Sequence, residues 1–203
     1  VWIGDIHPEV STIQAVFGCD ESVKKSLDLA RDETPLPWMM CGMTTYSLWW
    51  ILVHYSWYLQ NGDRAYLEEQ RAYLTELLKL FTQYIGEDGS ECLDGHRFMD
   101  WPTEGDDVAI HAGLQGILCM AMEAGAYLCG ELGENEVAAL CREKAEKLRA
   151  VQVPDPNGNK QAAAFLILAD IAKGREAELL TKDVIEKDGA HRISTFMGFY
   201  VLQ

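Results

Sequence analysis

The feature of this sequence that most constrains its fold is an alternation between two kinds of helical segment. The pattern predicts that Met43–Gln60 forms a helix that is apolar nearly all round, which is typical of a helix buried on most sides. The segment after it, Arg64–Ile85, has one apolar stripe with charged residues opposite, which is typical of an outer helix. No alternating strand pattern extends beyond a few residues. We therefore expect an all-α protein.

The alternation continues to the end of the chain. Further helices are predicted at Val108–Cys129, Gln161–Ala172 and Ile193–Leu202 (apolar all round), at Asn135–Val151 and Glu176–Lys187 (one apolar face), and at Pro8–Phe17 and Glu21–Ala30 (shorter). Short turns follow the apolar helices, whereas longer loops precede them, so we expect the long loops to gather where the inner helices begin. This arrangement predicts two concentric layers, as in an α/α toroid. No 34- or 40-residue repeat favours a helical solenoid instead.

Composition excludes several classes of function. The 203 residues suit one domain or a piece of a larger one, and the net charge of −15 argues against binding to nucleic acid or anionic lipid. No apolar run reaches the roughly 18 residues that span a bilayer, and no segment resembles a targeting signal. We expect a soluble chain. The cysteines and histidines lack zinc-site spacing, so we expect reduced cysteines, no metal and no cofactor.

The end with the long loops has the composition of a carbohydrate site. Segments 1–9, 31–43 and 87–107 each contain a tryptophan, and the last two contain several carboxylates. The C–H face of a pyranose packs on an indole ring, and its hydroxyls hydrogen-bond to carboxylates. Hydrolysis of a glycosidic bond needs two carboxyl groups with different roles.

Asp5, Asp100 and Trp101 are the strongest candidates for such a site, because each lies beside an aromatic residue in a loop rather than on a solvated helix face. Trp38 follows Pro37 and either lines the pocket or plugs the end of the barrel. The residues predicted to be structural instead are Trp49, Trp50, Trp57, His54 and His111.

Five segments resemble α-L-rhamnosidases of glycoside hydrolase family 78, most closely the Bacteroides-like branch. They are VWIGDIHPE (1–9), RDETPLPWMM with YSLWW (31–50), RFMDWPT (97–103), GNKQAA (158–163) and KDGAHRISTFMGFYVLQ (187–203). The more specific matches are the WxGD of Trp2–Asp5 and the adjacent Asp100–Trp101. The resemblance covers essentially the whole chain. It implies an (α/α)6 barrel from a bacterium that removes terminal α-L-rhamnose from glycans or glycosides with inversion.

The resemblance also implies roles for individual residues. Asp5 would bind rhamnose in the −1 subsite, Trp2 and Trp101 would wall the pocket, and Asp100 would be a supporting or binding group. The family's general acid would precede Val1 and its general base would follow Gln203. Residues 1–203 would then be an internal segment of a twelve-helix barrel, without an internal domain boundary. The ring is expected to stay open and the segment to be inactive alone.

Two other classes stay open at this point. Another α/α-barrel enzyme, such as an unsaturated glucuronyl hydrolase, a lyase or a family 95-like glycosidase, would share the helix alternation. Such enzymes are not expected to show WxGD and DWPT together. A non-catalytic helical scaffold that binds a glycan or a protein is favoured only by the missing acid and base. The sequence leaves open the aglycone, the oligomeric state and the compartment, whether bacterial cytoplasm or periplasm.

Overall fold

The computed structural model describes residues 2–203, and the regular secondary structure of this range is helical, with two isolated β-bridges and no strand. The prediction of an all-α protein is confirmed. The helices in residues 2–203 are α1 (Ile6–Phe17), α2 (Glu21–Asp32), α3 (Thr44–Asn61), α4 (Arg64–Thr82), α5 (Asp107–Leu132), α6 (Asn135–Arg149), α7 (Lys160–Leu168), α8 (Arg175–Leu180) and α9 (Thr195–Val201).

The helix ends depart from the sequence prediction mainly in the second half of the chain. α7 ends at Leu168 rather than Ala172, because Asp170 adopts a left-handed conformation with φ of 57°. The amides of Ile171 and Ala172 then turn back onto the carbonyl of Leu166. The helix predicted at 176–187 is a short α8 that continues as a π-helical turn, Thr181–Ile185.

The helices that are apolar all round, called the inner helices here, pack against one another. α3, α5, α7 and α9 contact one another in sequence, while the one-faced α4 and α6 contact α5 and each other. The three tryptophans of α3 are buried in this core, as predicted (Trp49, Trp50 and Trp57). α9 also reaches back to α1, because a 2.8 Å hydrogen bond joins the Tyr200 hydroxyl to Nδ1 of His7.

α5 is the central helix of the fold. It is 26 residues long and has a window of mean hydropathy 1.3, so by length and composition alone it could cross a membrane. However, 78% of that window is buried inside the fold, against α3, α4, α6 and α7. Its glycines permit close contact: a Cβ on Gly116 would lie 2.6 Å from the backbone carbonyl of Phe165.

The long loops gather where the inner helices begin, as the sequence predicts. The Thr45 hydroxyl of α3 donates a 2.5 Å hydrogen bond to the carbonyl of Phe98, which precedes α5. Asn159, which caps α7, donates from Nδ2 to the Thr103 hydroxyl at 3.1 Å. Loops that are distant in sequence are therefore tied together at one end of the fold.

Two expectations for single residues need correction. His111 is not a core histidine, because 38% of its side chain is exposed and Nδ1 lies 2.5 Å from Glu91. His54 is buried as predicted, but within residues 2–203 its Nε2 has no hydrogen-bond partner. Trp38 is 71% exposed and does not plug the end of the described fold.

We predict that Gly116→Ala lowers the free energy of unfolding by about 2 kcal/mol, because the added methyl group overpacks the α5–α7 contact. Gly130→Ala on the same helix is the matched control, since nothing lies within 4 Å of its Cβ position. There the better helix propensity of alanine should raise stability by up to about 1 kcal/mol. Urea unfolding of the two variants measures both effects. Equal effects of the two substitutions would contradict the close packing.

Candidate functional site

A short 3-10 turn, Ile3–Asp5, presents the first part of the candidate site. Ile3 is fully buried and anchors the turn in the core. Gly4 lies against the ring of Tyr46, and a Cβ at this position would be 2.2 Å from Cε1 of the tyrosine. Only glycine admits this contact. The turn leaves the Trp2 ring 59% exposed and the Asp5 carboxylate at the surface.

Within residues 2–203, the Asp5 carboxylate has no hydrogen-bond or ion-pair partner. It occupies the N-cap position of α1, yet its side chain accepts no capping hydrogen bond. Within residues 2–203 it forms neither another hydrogen bond nor an ion pair. Partial burial, and secondly the negative charge of Asp100, raise the pKa of Asp5. The two carboxylates are therefore close enough to interact.

Asp100 is held more tightly than Asp5. It is 6% exposed, and Gln161 donates from Nε2 to its Oδ2 at 3.3 Å. The residue before it, Met99, is buried against α5, where a Cβ on Gly113 would lie 2.0 Å from the methionine sulfur. The residue after it, Trp101, is 74% exposed. One short stretch thus combines a core anchor, a buried carboxylate and an exposed indole.

Four aromatic rings connect the two parts of the site. Trp2 meets Tyr46 edge-on at 6.2 Å between ring centroids, and Tyr46 lies 6.5 Å from Phe98. Phe98 then packs edge-on against Trp101 at 5.1 Å. These separations and edge-on geometries suit favourable aromatic contacts. The two exposed indoles therefore belong to one aromatic frame.

Tyr46 supplies a hydroxyl to this frame. Its side chain is nearly buried, and burial together with the charges of Asp5, Cys41 and Asp100 raises the pKa of Tyr46 to about 12. The phenol is consequently protonated at neutral pH.

The loop that delivers Asp100 is organised by Glu91. The Glu91 side chain is fully buried, forms an ion pair with Arg97 and is hydrogen-bonded to Nδ1 of His111. It also accepts a 2.9 Å hydrogen bond from the amide of Leu93, while its own amide donates to Oε1 of Gln115 at 2.7 Å. A buried carboxylate is costly unless it is paired and hydrogen-bonded in this way. The network closes residues 91–97 into a compact loop that ends at Phe98.

The arrangement suits a neutral, hydroxyl-rich ligand. The unpaired Asp5 carboxylate can accept hydrogen bonds from hydroxyl groups, and the exposed rings of Trp2 and Trp101 offer apolar faces. A negatively charged ligand would be repelled by Asp5 and Asp100. Within residues 2–203, no group of three or more His, Cys, Asp or Glu residues could hold a metal ion.

The structure brings together four of the five sequence-predicted site residues: Trp2, Asp5, Asp100 and Trp101. Trp38 is separate from them, since no ring contact or side-chain hydrogen bond joins it to this group within residues 2–203. Its role stays a prediction.

Three contributors were missed from the sequence: Tyr46, Phe98 and Gln161. Tyr46 and Gln161 lie in the first turn of inner helices, at the end where the long loops gather. Their position at the start of inner helices was the sequence feature that could have identified Tyr46 and Gln161.

A cleft of about 630 Å³ lies elsewhere, among the later turns of the inner helices. Its lining includes Ser56, Glu123, Tyr127 and Tyr200 but none of the four grouped site residues. This cleft lacks the combination of two carboxylates and two exposed indoles that marks the candidate site. We therefore place the candidate site at the opposite, long-loop end.

We predict that Asp100→Asn lowers the pKa of Asp5 part of the way towards its ordinary value. The substitution removes the negative charge of Asp100, whereas the burial that contributes most to the shift remains. Carbon-detected NMR titration of the Asp5 carboxyl group measures this change. Asp107→Asn, an exposed acid at the same end, is the control and should leave the pKa of Asp5 unchanged. An unchanged pKa in the Asp100 variant would show that the two carboxylates do not interact.

Comparison with known proteins shows a similarity of fold to a solved enzyme. No family model and no curated protein matches the sequence. Among solved structures, the chain is similar to a GH78 family rhamnosidase of Bacillus sp. GL1, with a TM-score of 0.78 and 20% sequence identity. The match covers 99% of this chain and 24% of that chain. The chain thus has the fold of about a quarter of that rhamnosidase chain.

Proposed function

We propose that this chain is part of an α-L-rhamnosidase of glycoside hydrolase family 78, in the Bacteroides-like branch, and contributes the sugar-binding walls of the active site. The parent enzyme would hydrolyse terminal α-L-rhamnosyl linkages with inversion. The observation that carries this proposal is the pair of interacting carboxylates, Asp5 and Asp100, inside an aromatic frame that ends in two exposed indoles, Trp2 and Trp101.

Each side chain has a role that its surroundings support. Asp5 accepts hydrogen bonds from rhamnose hydroxyls, because no protein group competes for its carboxylate within residues 2–203. Trp2 and Trp101 cover the apolar faces of the sugar, which include the methyl group at C6 of this deoxysugar. Asp100, held by Gln161, supports the same pocket.

The acid and base of the reaction belong, in this proposal, to parts of the parent enzyme outside residues 1–203. Inversion requires two carboxyl groups about 6.5–9.5 Å apart, with room for a water molecule between one of them and the sugar. In this proposal Asp5 and Asp100 serve the binding wall and are not that pair. The match to only 24% of the solved rhamnosidase chain supports a division of labour between segments.

We propose further that residues 1–203 are one segment of an (α/α)6 barrel, without an internal domain boundary. The two layers and the single contiguous core support this. The cleft among the inner helices also supports it, because Leu59 and Tyr127 on its wall are exposed, at 52% and 43%. Further helices of a closed barrel would cover these side chains.

We predict that L-rhamnose binds this chain and shifts the indole N–H signals of Trp2 and Trp101 in proton–nitrogen NMR spectra. Asp5→Asn should weaken the binding at least tenfold, since a hydrogen bond to a charged group contributes about 1.5–3 kcal/mol. Asp183→Asn is the matched control, because this exposed aspartate lies outside the site, and it should leave the affinity unchanged.

Two results would contradict this prediction. The first is rhamnose binding that Asp5→Asn does not affect, which would remove Asp5 from the site. The second is the absence of any shift at Trp2 and Trp101 at saturating sugar. Trp38→Ala in the same titration decides whether this third tryptophan candidate belongs to the pocket: a several-fold loss of affinity would include it, and an unchanged affinity would exclude it.

We also predict that the purified 203-residue chain releases no nitrophenol from nitrophenyl α-L-rhamnoside, since neither the proposed acid nor the proposed base is part of it. Absorbance of the released nitrophenol measures this. Protein carrying Asp5→Asn, prepared identically, controls for contaminating enzyme. Release by the wild-type chain above the rate of that variant would show that residues 1–203 contain their own catalytic groups.

A further inference from the structure

The loop between the π-helical turn and α9 has an unusual construction. All seven residues from 186 to 192 are exposed, so no side chain of the loop anchors it in the core. Asp188 and Arg192 nevertheless adopt left-handed backbone conformations, with φ of 60° and 66°. Residues with a Cβ disfavour this region. Besides turn hydrogen bonds within the loop, such as that from the amide of Gly189 to the carbonyl of Glu186, contacts from outside it hold this shape.

Those contacts come from the first two residues of α7. Lys160 is 6% exposed, and its ammonium group donates to the carbonyls of Lys187 and Gly189. Gln161 is 1% exposed and donates from Nε2 to the carbonyl of Arg192 at 2.9 Å. Lys160 forms no ion pair within residues 2–203, so the loop carbonyls supply the hydrogen bonds that a buried ammonium group requires. Three carbonyls pin the loop to α7.

The same glutamine contacts the candidate sugar site. Nε2 of Gln161 donates both to the carbonyl of Arg192 and, at 3.3 Å, to Oδ2 of Asp100. Oε1 of Gln161 is buried and has no hydrogen-bond partner within residues 2–203. The side chain is thus held only through its donor end, which is shared between the loop and the carboxylate. If either the Arg192 carbonyl or the Asp100 carboxylate moves, Nε2 of Gln161 moves relative to the other acceptor.

We propose that residues 186–192 form a lid beside the sugar pocket, and that Gln161 is a positioning residue that couples this lid to Asp100. The inference rests on the proposed function, since the lid closes on the proposed rhamnose site. A sugar bound against Asp5 and Asp100 fixes the Asp100 carboxylate, holds Gln161 in place and so favours the closed lid. Lys160 anchors the lid independently of the sugar.

Hydrogen exchange of backbone amides, followed by mass spectrometry, tests the coupling. In Gln161→Glu the nearly isosteric side chain loses its donor and faces two oxygen acceptors, so exchange of residues 186–193 should become at least tenfold faster. Gln152→Glu makes the same chemical change at an exposed position of a neighbouring loop and should have no effect on the lid. Gln161→Met, which adds no charge, should open the lid equally if glutamate unfolds the chain. Circular dichroism checks the fold of each variant.

L-Rhamnose is then added to the wild-type chain and to the Gln161 variants. In the wild type, we expect L-rhamnose to slow exchange both around residues 98–103 and in residues 186–193. In the variants, we expect it to slow exchange around residues 98–103 only. Unchanged exchange of residues 186–193 in the folded variants would overturn the proposal that Gln161 holds the lid. Protection of 98–103 without protection of 186–193 in the wild type would overturn the lid while leaving the proposed function intact. No protection anywhere would overturn the proposed function and the lid with it.

Discussion

The close packing of α5 against its neighbours is the constraint on which the rest of the structure depends. Its small residues let α7 approach at Gly116, and Gly113 admits the side chain of Met99. Met99 immediately precedes Asp100, so the same packing that closes the core also sets the position of a site carboxylate. Larger residues at these glycines would move both the helix and the loop. The contacts of α5 at Gly113 and Gly116 therefore hold together the core and also position the loop that carries Asp100.

The candidate site is distinguished by carboxylates that have no cationic partner within residues 2–203. Most acidic side chains of this chain can be solvated at the surface, and Glu91 is paired with Arg97 and hydrogen-bonded to His111 inside a loop. Neither Asp5 nor Asp100, by contrast, has a cationic partner within residues 2–203. Partial burial and, secondly, the charge of Asp100 disfavour the ionised form of Asp5 and raise its pKa. Hydroxyl groups of a bound sugar would relieve this cost, which is why we interpret the pair as a binding wall.

Much of the fold could be predicted from sequence, because helix burial is a local periodic pattern. The buried tryptophans of α3 and the one-faced α4 follow directly from such patterns. The site was predicted only partly. Gln161 and Glu91 were missed, since the position of a polar side chain in a loop or first helical turn depends on contacts with segments distant in sequence. His111 was assigned to the core for the same reason: its apolar neighbours in sequence gave no sign of Glu91, which lies 20 residues before it.

The most direct test of the account is a crystal structure of this chain with L-rhamnose bound. We predict one sugar against the indoles of Trp2 and Trp101, with a hydroxyl oxygen within hydrogen-bonding distance of the Asp5 carboxylate and the loop 186–192 in its present position. A sugar bound elsewhere, for example in the cleft beside Tyr127, with the Asp5–Asp100 pair left unoccupied, would contradict the assignment of the site.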